Sequence, residues 1–440
     1  MRTSLALAFA LVSITHAVQA QSNVWTVGGT QPNFTDVQSA INAANAGDTL
    51  LVRSGTYGAF LLDGKALSIT ADTSATVVLQ GKTEIRNLPS GASTQLVRLQ
   101  FIGFGFPSPA TGGLFVHDCT GPLRFTGCTM RGGNGKNGPG ATNGSEGARI
   151  SRCDDIALIA TTLRGGDGGG GTGGRKGGTG LFVRDSLLAL YDCVVSGGRG
   201  GDDVNDHAAD GGPGGHGYES PDAQIFASGS SFTGGRGGDG GEEQTDLGGG
   251  CVHAGAGGAG GHGLLLGVVP PSPQAPQAHL QASSAQGGAG GFGGQGYMCP
   301  SGPNGAPGTQ IAILAGSSTT STTPARVLLA ENPVRESTTL PLTIRGVQGD
   351  RVWLLQSVQT QQLTNWPFEG RQLVAGAFLS RASMKGIVPA SGQLALTLAI
   401  PALPLGVETS VLHLQVLALT PSGAGVFGSA VPLVILDSIY

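Results

Sequence analysis

Charged and aromatic residues are scarce in this sequence. Asp, Glu, Lys and Arg make up 12% of the 440 residues, and Phe, Trp and Tyr make up 5%. With 24 basic residues and a net charge of −4, the chain has no basic surface field to attract nucleic acid, so we expect no nucleic-acid partner. Beyond the N-terminus, no run reaches the roughly 18 unbroken apolar residues of a transmembrane helix, so we expect no membrane-spanning segment.

Glycine, in contrast, is abundant: most of the 79 glycines lie between residues 132 and 308. The strict Gly-X-Y repeat of collagen is missing from this region. Val, Leu, Ile and Phe recur between the glycine blocks, which a plain disordered tract would not show. We therefore expect the middle of the chain to be ordered and repetitive.

Residues 1–20 have the features of a secretory signal peptide. Arg2 supplies the basic start, Leu5 to Ile14 the apolar core, and Ala20 the small residue at the cleavage position. We expect the mature chain to begin at Gln21 and to be secreted or held at the cell surface. Export permits disulfides between the six cysteines.

The middle region is built from repeats. Segments that begin at Gly113, Gly147, Gly180 and Gly217 align without gaps, which indicates a solenoid. Alternate positions after each of these glycines are apolar, as in strands with one face toward a core. A coil of such strands is shorter than the repeat, so each repeat also carries a glycine-rich excursion.

The excursions have a period of three residues. Gly-Gly-x triplets run outward, as in 196–202 and 233–239, and lead back, as in 210–216 and 256–262. Three residues per turn is the repeat of the polyproline II helix, so each excursion is predicted to be an out-and-back hairpin of such helices. Flexible glycine linkers are the alternative, but linkers have no reason to keep one triplet phase across separate repeats.

The segment 34–57 combines a short amphipathic helix, with Thr35 and Gln38 as a predicted capping box, and a following apolar strand. This arrangement resembles the entrance of the pectin-lyase-like right-handed parallel β-helix superfamily, in which a helix covers the open end of the coil stack. The resemblance implies an architecture more than an activity. The predicted fold is therefore all-β, with a right-handed parallel β-helix over 21–316 and polyproline II hairpins inserted within 132–308.

The composition changes after residue 316. The run of Ser and Thr from Ser317 to Pro324 is typical of a polar linker. Residues 325–440 contain seven strand-like runs between Pro and Gly turns and no cysteine, which predicts a C-terminal β-sandwich.

The repeat alignment places Asp118, Arg152, Asp185 and Asp222 at one ladder position, with neighbours about 4.8 Å apart. An Asp/Arg/Asp ladder resembles the face on which acidic-sugar enzymes of the same superfamily keep Ca²⁺ ligands and a basic arginine. If the protein is an enzyme, the resemblance implies catalytic roles for Asp118, Arg152 and Asp185. A surface ladder of salt bridges is the alternative.

A second candidate pair is Asp154 and Asp155. It resembles the paired aspartates of polygalacturonase relatives, which the resemblance would make general acid and base. The other motifs of those relatives are missing at corresponding positions, so the analogy rests on the two carboxylates alone.

Carboxylates also gather at the excursion tips, as at Asp202, Asp203, Asp206 and Asp210. Hard cations bind such oxygen clusters. The sequence therefore specifies no cofactor but is compatible with Ca²⁺. His216 and His262 can meet across neighbouring excursions and share a metal. Solvated tips and packed imidazoles are the alternatives.

Two cysteine pairs are candidates for disulfides. Cys119 and Cys153 occupy the same position of adjacent repeats and are expected to form either a disulfide or a reduced stack. Cys251 and Cys299 stand alone in neighbouring excursions and are predicted to form a disulfide that joins two loops with little apolar core.

These expectations favour an exported structural or binding protein whose ligand is carbohydrate, because long β-helix faces can follow extended polymers. The partner would be an extracellular polysaccharide or a cell-surface component. The alternative is a polysaccharide lyase or glycoside hydrolase that acts on an acidic polysaccharide. A third alternative is a flat glycine-rich surface that binds ice or a mineral.

Overall fold

The structure is a computed structural model that describes residues 22–105, 111–203, 208–243, 253–267, 275–297, 299–363, 368–375 and 383–440. The predicted signal peptide, Asp206 and Cys251 lie outside the described residues. Within the described part of the chain the one helix has seven residues, and no helix has the length and apolar character needed to cross a membrane.

The N-terminal part contains helix α1 (Val37–Ala43) and the following strands, in chain order: β1 (Val24–Val27), β2 (Thr49–Val52), β3 (Gly55–Gly58), β4 (Leu61–Asp63), β5 (Ser68–Ala71), β6 (Val77–Gln80), β7 (Thr83–Arg86), β8 (Thr94–Val97), β9 (Leu99–Ile102), β10 (Leu114–Cys119), β11 (Leu123–Thr126), β12 (Thr129–Arg131), β13 (Ala148–Ile159), β14 (Thr162–Arg164), β15 (Leu181–Tyr191), β16 (Val194–Ser196), β17 (Tyr218–Ser220), β18 (Gln224–Ser228), β19 (Ser231–Thr233), β20 (Leu264–Leu266), β21 (Gln277–Gln281), β22 (Ser284–Gln286), β23 (Ile311–Ile313) and β24 (Ser317–Ser321). The C-terminal part contains β25 (Val327–Ala330), β26 (Val334–Arg335), β27 (Thr339–Arg345), β28 (Arg351–Ser357), β29 (Thr360–Leu363), β30 (Gln372–Val374), β31 (Ser383–Ile387), β32 (Gln393–Ala399), β33 (Thr409–Leu419) and β34 (Gly425–Leu436).

Strands β1 to β24 form the coils of a parallel β-helix with three faces, as predicted. Face 1 consists of β4, β7, β10, the first halves of β13 and β15, β17, β20 and β23. Face 2 consists of β1, β2, β5, β8, β11, the second halves of β13 and β15, β18, β21 and β24. Face 3 consists of β3, β6, β9, β12, β14, β16, β19 and β22.

The β-helix core is a set of side-chain columns that run from coil to coil. On face 2, Leu96, Phe125, Leu158, Leu190 and Ala227 are register partners and are all fully buried. Apolar burial stabilises a fold by about 25 cal/mol per Å². Because each coil covers the next, the columns bury their apolar surface continuously along the stack.

Helix α1 covers the N-terminal end of this core with its apolar face, which lies against β1, β2 and β3. Its N-cap is Asp36, whose carboxylate accepts the Ser39 N–H at 2.8 Å. The predicted capping box of Thr35 and Gln38 is therefore wrong by one residue, because a carboxylate acceptor is available next to the threonine.

The glycine excursions leave the coils after β12, β14, β16, β19 and β22 on face 3 and return to face 1. They form two layers of extended helices, the outgoing layer and the returning layer. The first glycine of a triplet donates to the next excursion in the same layer, as in Gly168 N–H to Arg199 O at 2.8 Å. The second donates across the layers, as in Gly215 N–H to Gly198 O at 2.9 Å. These bonds recur at every third residue, so the excursions are the predicted hairpins of polyproline II helices.

Glycine is required where these helices touch. A Cβ at Gly258 would lie 2.0 Å from the carbonyl oxygen of Gly212, whereas Ala259 beside it is exposed. The last returning helix, 302–310, has only one glycine per triplet, since the described chain places no further excursion beside it.

The third N–H of a triplet donates to a side chain where the preceding excursion carries Asn, Asp or His at the matching position. Asn134 accepts the Asp167 N–H at 3.0 Å, and Asp167 in turn accepts the Arg199 N–H at 2.8 Å. His216 Nδ1 accepts the His262 N–H in the same way at 3.1 Å. We call these contacts the acceptor ladder.

The C-terminal part is a β-sandwich, as predicted. Its sheets are β25-β27-β32 and β26-β34-β33-β28-β31, and side chains such as Leu342, Ile344, Val416 and Leu433 fill the space between them. The larger sheet also packs on face 2 of the β-helix, where Ala430 lies in an apolar cluster with Tyr191 and Phe226.

The predicted linker at 317–324 is wrong over most of its length. Residues Ser317–Ser321 form β24, which pairs in parallel with β21 and belongs to the last coil. Threonine is β-branched and favours strands, and this preference prevails here because a parallel partner strand lies alongside.

The four cysteines of the β-helix coils are free. Cys119 and Cys153 are register partners on β10 and β13, and both are free, so the structure contains the stack and not the disulfide. Cys128 and Cys193 are also free and buried. Cys299 is disulfide-bonded. Its predicted pairing with Cys251 stays a prediction, since Cys251 lies outside the described residues.

Candidate functional site

The predicted Asp/Arg/Asp ladder lies where the coils turn from face 1 to face 2. Asp118, Arg152 and Asp185 all have positive φ, at 57°, 52° and 44°, which marks the bend in each strand. Arg152 donates to both carboxylate oxygens of Asp118, at 2.5 and 2.9 Å. These hydrogen bonds hold the pKa of Asp118 well below its ordinary value. Asp118 is therefore ionised and fully engaged by its partner.

Asp185 is not part of this ion pair. Its backbone N–H donates to Asp222 Oδ1 at 2.6 Å, and the Asp222 carboxylate is buried. The predicted ladder thus consists of two separate contacts. Asp118 and Arg152 form a salt bridge, and Asp222 accepts a backbone N–H group at the bend of the next coil.

Asp154 and Asp155 point in opposite directions. Asp154 is exposed, whereas Asp155 is buried under the C-terminal sandwich and forms an ion pair of 2.6 Å with Arg124. Asp155 also accepts the Gln362 N–H at 2.9 Å. The two carboxylates cannot face one substrate, so the predicted acid–base pair is wrong, because successive residues of a strand lie on opposite sides.

A network that the repeat alignment missed surrounds Asp118. The two ring nitrogens of His117 lie 2.7 Å from Asp118 Oδ2 and 3.1 Å from Glu84 Oε1. Burial lowers the pKa of His117, but the hydrogen bonds to the two carboxylates outweigh it and the net pKa is raised. On the preceding coils, Arg86 binds Asp63 at 2.8 Å. These coils carry no glycine excursion, and the alignment of repeats therefore did not include them.

Beside this network, face 1 carries a column of alternating rings and cations. Phe115, Arg149 and Phe182 are register partners on three successive coils and are partly exposed. Lys82 lies 4.6 Å above the ring of Phe115, and Arg149 lies 4.3 Å above that of Phe182. Flat rings with cations beside them can contact a sugar ring and its hydroxyl or carboxylate groups. In the sequence, Phe115 and Phe182 stand at strand positions that alternate with the buried ones. The strand pattern alone does not show whether such a phenylalanine faces the solvent or the core.

The candidate metal ligands on the excursions serve the acceptor ladder. Asp202 accepts the Asp239 N–H at 2.7 Å, and Asp210 accepts the Ala256 N–H at 2.8 Å. Asp203 accepts the Ala209 N–H, and Asp206 lies outside the described residues. No group of three or more metal-binding side chains converges in the described ranges. The described carboxylates of this set each accept a backbone N–H group.

His216 and His262 meet as expected, but as stacked rings with centroids 5.1 Å apart and planes 5° from parallel. Both Nδ1 atoms accept backbone N–H groups of the next excursion. Burial lowers the pKa of His216 to about 4, so its imidazole is neutral. The pair is a packing contact, which was the alternative to metal binding.

A cleft of about 330 Å³ lies where face 2 meets the C-terminal sandwich. Its walls include His279, which stacks on Phe226 at 5.5 Å, and Glu369 and Arg371 from the sandwich. Its position at the junction of the two parts of the chain separates it from the column on face 1.

No protein-family model matches the chain, and no curated protein matches it. Among solved structures, the chain is similar to the crystal structure of the periplasmic alginate epimerase AlgG, with 12% sequence identity and a TM-score of 0.17. The similarity covers 61% of this chain and 77% of that chain. At that score the likeness carries no argument about function.

Proposed function

We propose that the protein is an exported binding protein that holds an extended polysaccharide along face 1 of the β-helix. The observation that carries the proposal is the column of Phe115, Arg149 and Phe182. Its three members lie at the coil spacing of about 4.8 Å, so a polymer running along the stack meets three such contacts in succession, between Glu84 on one side and Glu219 on the other.

Lys82 and Arg149 are paired with Glu84 and Glu146, so Arg184 is the cation of face 1 that makes an acidic polymer the first ligand to test. Arg184 follows the column on β15, its side chain is 65% exposed, and its nearest carboxylate in the described chain is Asp222 at 3.8 Å. Such a weakly engaged guanidinium can bind a carboxylate of the ligand. The engaged Asp118 keeps Arg152 from serving in the same way.

Affinity electrophoresis through gels containing alginate, polygalacturonate or neutral xylan tests the proposal. We expect retardation by at least one polymer, and we expect Phe182→Ala to weaken it roughly two- to tenfold, since one lost stacking contact costs roughly 0.5–1.5 kcal/mol. Val194→Ala is the control, because it also shortens an exposed apolar side chain but lies on face 3. Equal retardation of the wild type and Phe182→Ala would exclude this face.

The alternative activity is cleavage of an acidic polysaccharide, and the raised pKa of His117 is the observation that favours it. A histidine with a raised pKa keeps its proton to a higher pH and can donate it to a leaving group. However, both of its ring nitrogens and both oxygens of Asp118 are engaged within the protein, which leaves no atom directed at a substrate. Assays for unsaturated and reducing ends on polygalacturonate and alginate separate the two functions: new ends support cleavage, and retardation without new ends supports binding.

A further inference from the structure

The two ends of the β-helix differ. Helix α1 covers the N-terminal end, whereas the last coil, at the other end, has no further strand beside it among the described residues. Strands β22, β23 and β24 are each the final strand of their row in the described chain, so each has one edge without a partner strand. The core is open here as well: Ile313 continues the column of the fully buried Leu266, yet it is 46% exposed, and Leu314 beside it is 68% exposed.

The last glycine excursion, like the last coil, has backbone groups on its outer side that lack a partner within the described chain. In the preceding excursion, Gly234 and Gly237 donate to the carbonyls of Gln286 and Ala289 at 2.8 and 2.9 Å. The corresponding N–H groups of Gly287 and Gly290 have no acceptor among the described residues. They point to where another excursion would lie.

The sequence leaves this end without charge. No Asp, Glu, Lys or Arg occurs from residue 247 to residue 325, a stretch that includes the whole last coil and its excursion. Exposed strand edges are usually protected from pairing by charged residues, by proline or by a covering segment. In the last coil, β22, β23 and β24 contain neither a charged residue nor a proline.

We propose that this open end is a docking surface for a second copy of the same chain. A surface without charge meets no like-charge repulsion from its own copy, and two edges related by a two-fold axis can pair as antiparallel strands. Ile313 and Leu314 then become buried. The described part of the last layer, residues 284–297 and 299–321, exceeds the roughly 20–30 residues that each partner contributes to a standard interface.

Sedimentation velocity over a concentration series tests the proposal on the full chain. We expect the 43.9 kDa chain to form a dimer and no larger species, because a two-fold pairing uses up the open end. We expect Leu314→Lys to weaken the dimer at least tenfold, since it places a charge on both sides of the contact. Val194→Lys, on a mid-stack strand with similar exposure, is expected to leave the dimer unchanged.

Thermal unfolding checks that both variants are folded. We expect them to be, because Leu314 and Val194 are already exposed. Amide exchange adds a second measurement: the amides of Ile311–Ile313 should gain protection as the wild type dimerises, and should not in Leu314→Lys. A wild type that sediments as a monomer throughout, an open-ended series of larger species, or a dimer that Leu314→Lys does not weaken would each overturn the proposal.

Discussion

At the scale of single residues, position within a triplet decides what a side chain can do. Gly258 is the second glycine of its triplet, and a side chain there would overlap the backbone of Gly212. We expect Gly258→Val to lower the free energy of unfolding by about 1–3 kcal/mol or to prevent folding, as overpacking does elsewhere. Ala259→Val, at the exposed third position, should change it by about 0.5 kcal/mol or less. Urea unfolding compares the two, and similar losses would contradict close packing of the helices.

His216 makes the stability depend on pH. Its pKa is about 4 in the folded chain and 6.5 ordinarily, because burial disfavours the imidazolium. Since the unfolded chain takes up the proton first, the stability from the neutral ring is fully present above about pH 6.5 and is lost as the pH falls toward 4. His413, with a pKa lowered by burial to about 3, contributes in the same direction.

The variant His216→Asn isolates the first of these contributions, because an amide oxygen can still accept the His262 N–H, as Asn134 does on another excursion. We expect its loss of stability between about pH 7.5 and pH 5 to be smaller than that of the wild type by about 1–2 kcal/mol. Urea unfolding at the two pH values measures the difference. Identical losses would show that His216 is protonated without cost to the fold.

The sequence predicted residue neighbours better than residue roles. Aligning the repeats correctly brought Asp118 beside Arg152, because the coil register follows the repeat. It did not show that both residues lie in a bend with positive φ, nor that His117 joins them, since local conformation and side-chain direction depend on the neighbouring coils.

At the scale of elements, the excursions hold their shape through backbone hydrogen bonds. Glycine loses more backbone entropy on folding than other residues, roughly 1–2 kcal/mol, and here it buries no side chain in return. The bonds within and across the layers offset that loss. We expect the amides of 211–217 and 255–263 to exchange far more slowly than those of a free peptide, as hydrogen exchange with mass spectrometry can measure. Exchange at the peptide rate would mean that the excursions are linkers.

The triplet phase predicted these elements, whereas composition failed for β24. A Ser and Thr run has no apolar alternation, and what makes it a strand is the vacant edge of β21. A partner strand that lies far away in sequence leaves no signal within the run itself.

At the scale of the whole molecule, the β-helix and the sandwich are joined by buried polar contacts as well as apolar ones. Arg124 is 2% exposed, pairs with Asp155 and donates to Thr360 Oγ1 of the sandwich at 3.0 Å. We expect Asp155→Ala to cost about 3–5 kcal/mol, since it leaves a buried cation without its partner. Asp154→Ala, the exposed neighbour, should cost about 0.5 kcal/mol or less. Urea unfolding of both variants checks this, and a small loss in Asp155→Ala would mean that water reaches Arg124.

The packing of the sandwich on face 2 could be partly predicted from the sequence. The second half of β15, Leu187 to Tyr191, is apolar at every position, which is typical of a strand buried on both sides. The sandwich supplies the second cover, and β34, buried along its whole length, is the matching strand. The sequence could not predict which part of the chain covers β15, because many apolar segments could pack on such a strand.

The hydrogen bonding of the excursions also restricts how their length can vary. Each outgoing helix forms hydrogen bonds with its returning partner and with the next excursion at steps of three residues. Inserting or deleting one or two residues within a helix would shift every later glycine out of contact, whereas adding one triplet on each side of the tip preserves all existing bonds. The paired helices of an excursion can therefore change in length only in steps of three residues. Irregular changes in length are restricted to the tips. The reach of the layers away from the β-helix can in this way be adjusted without altering the coils.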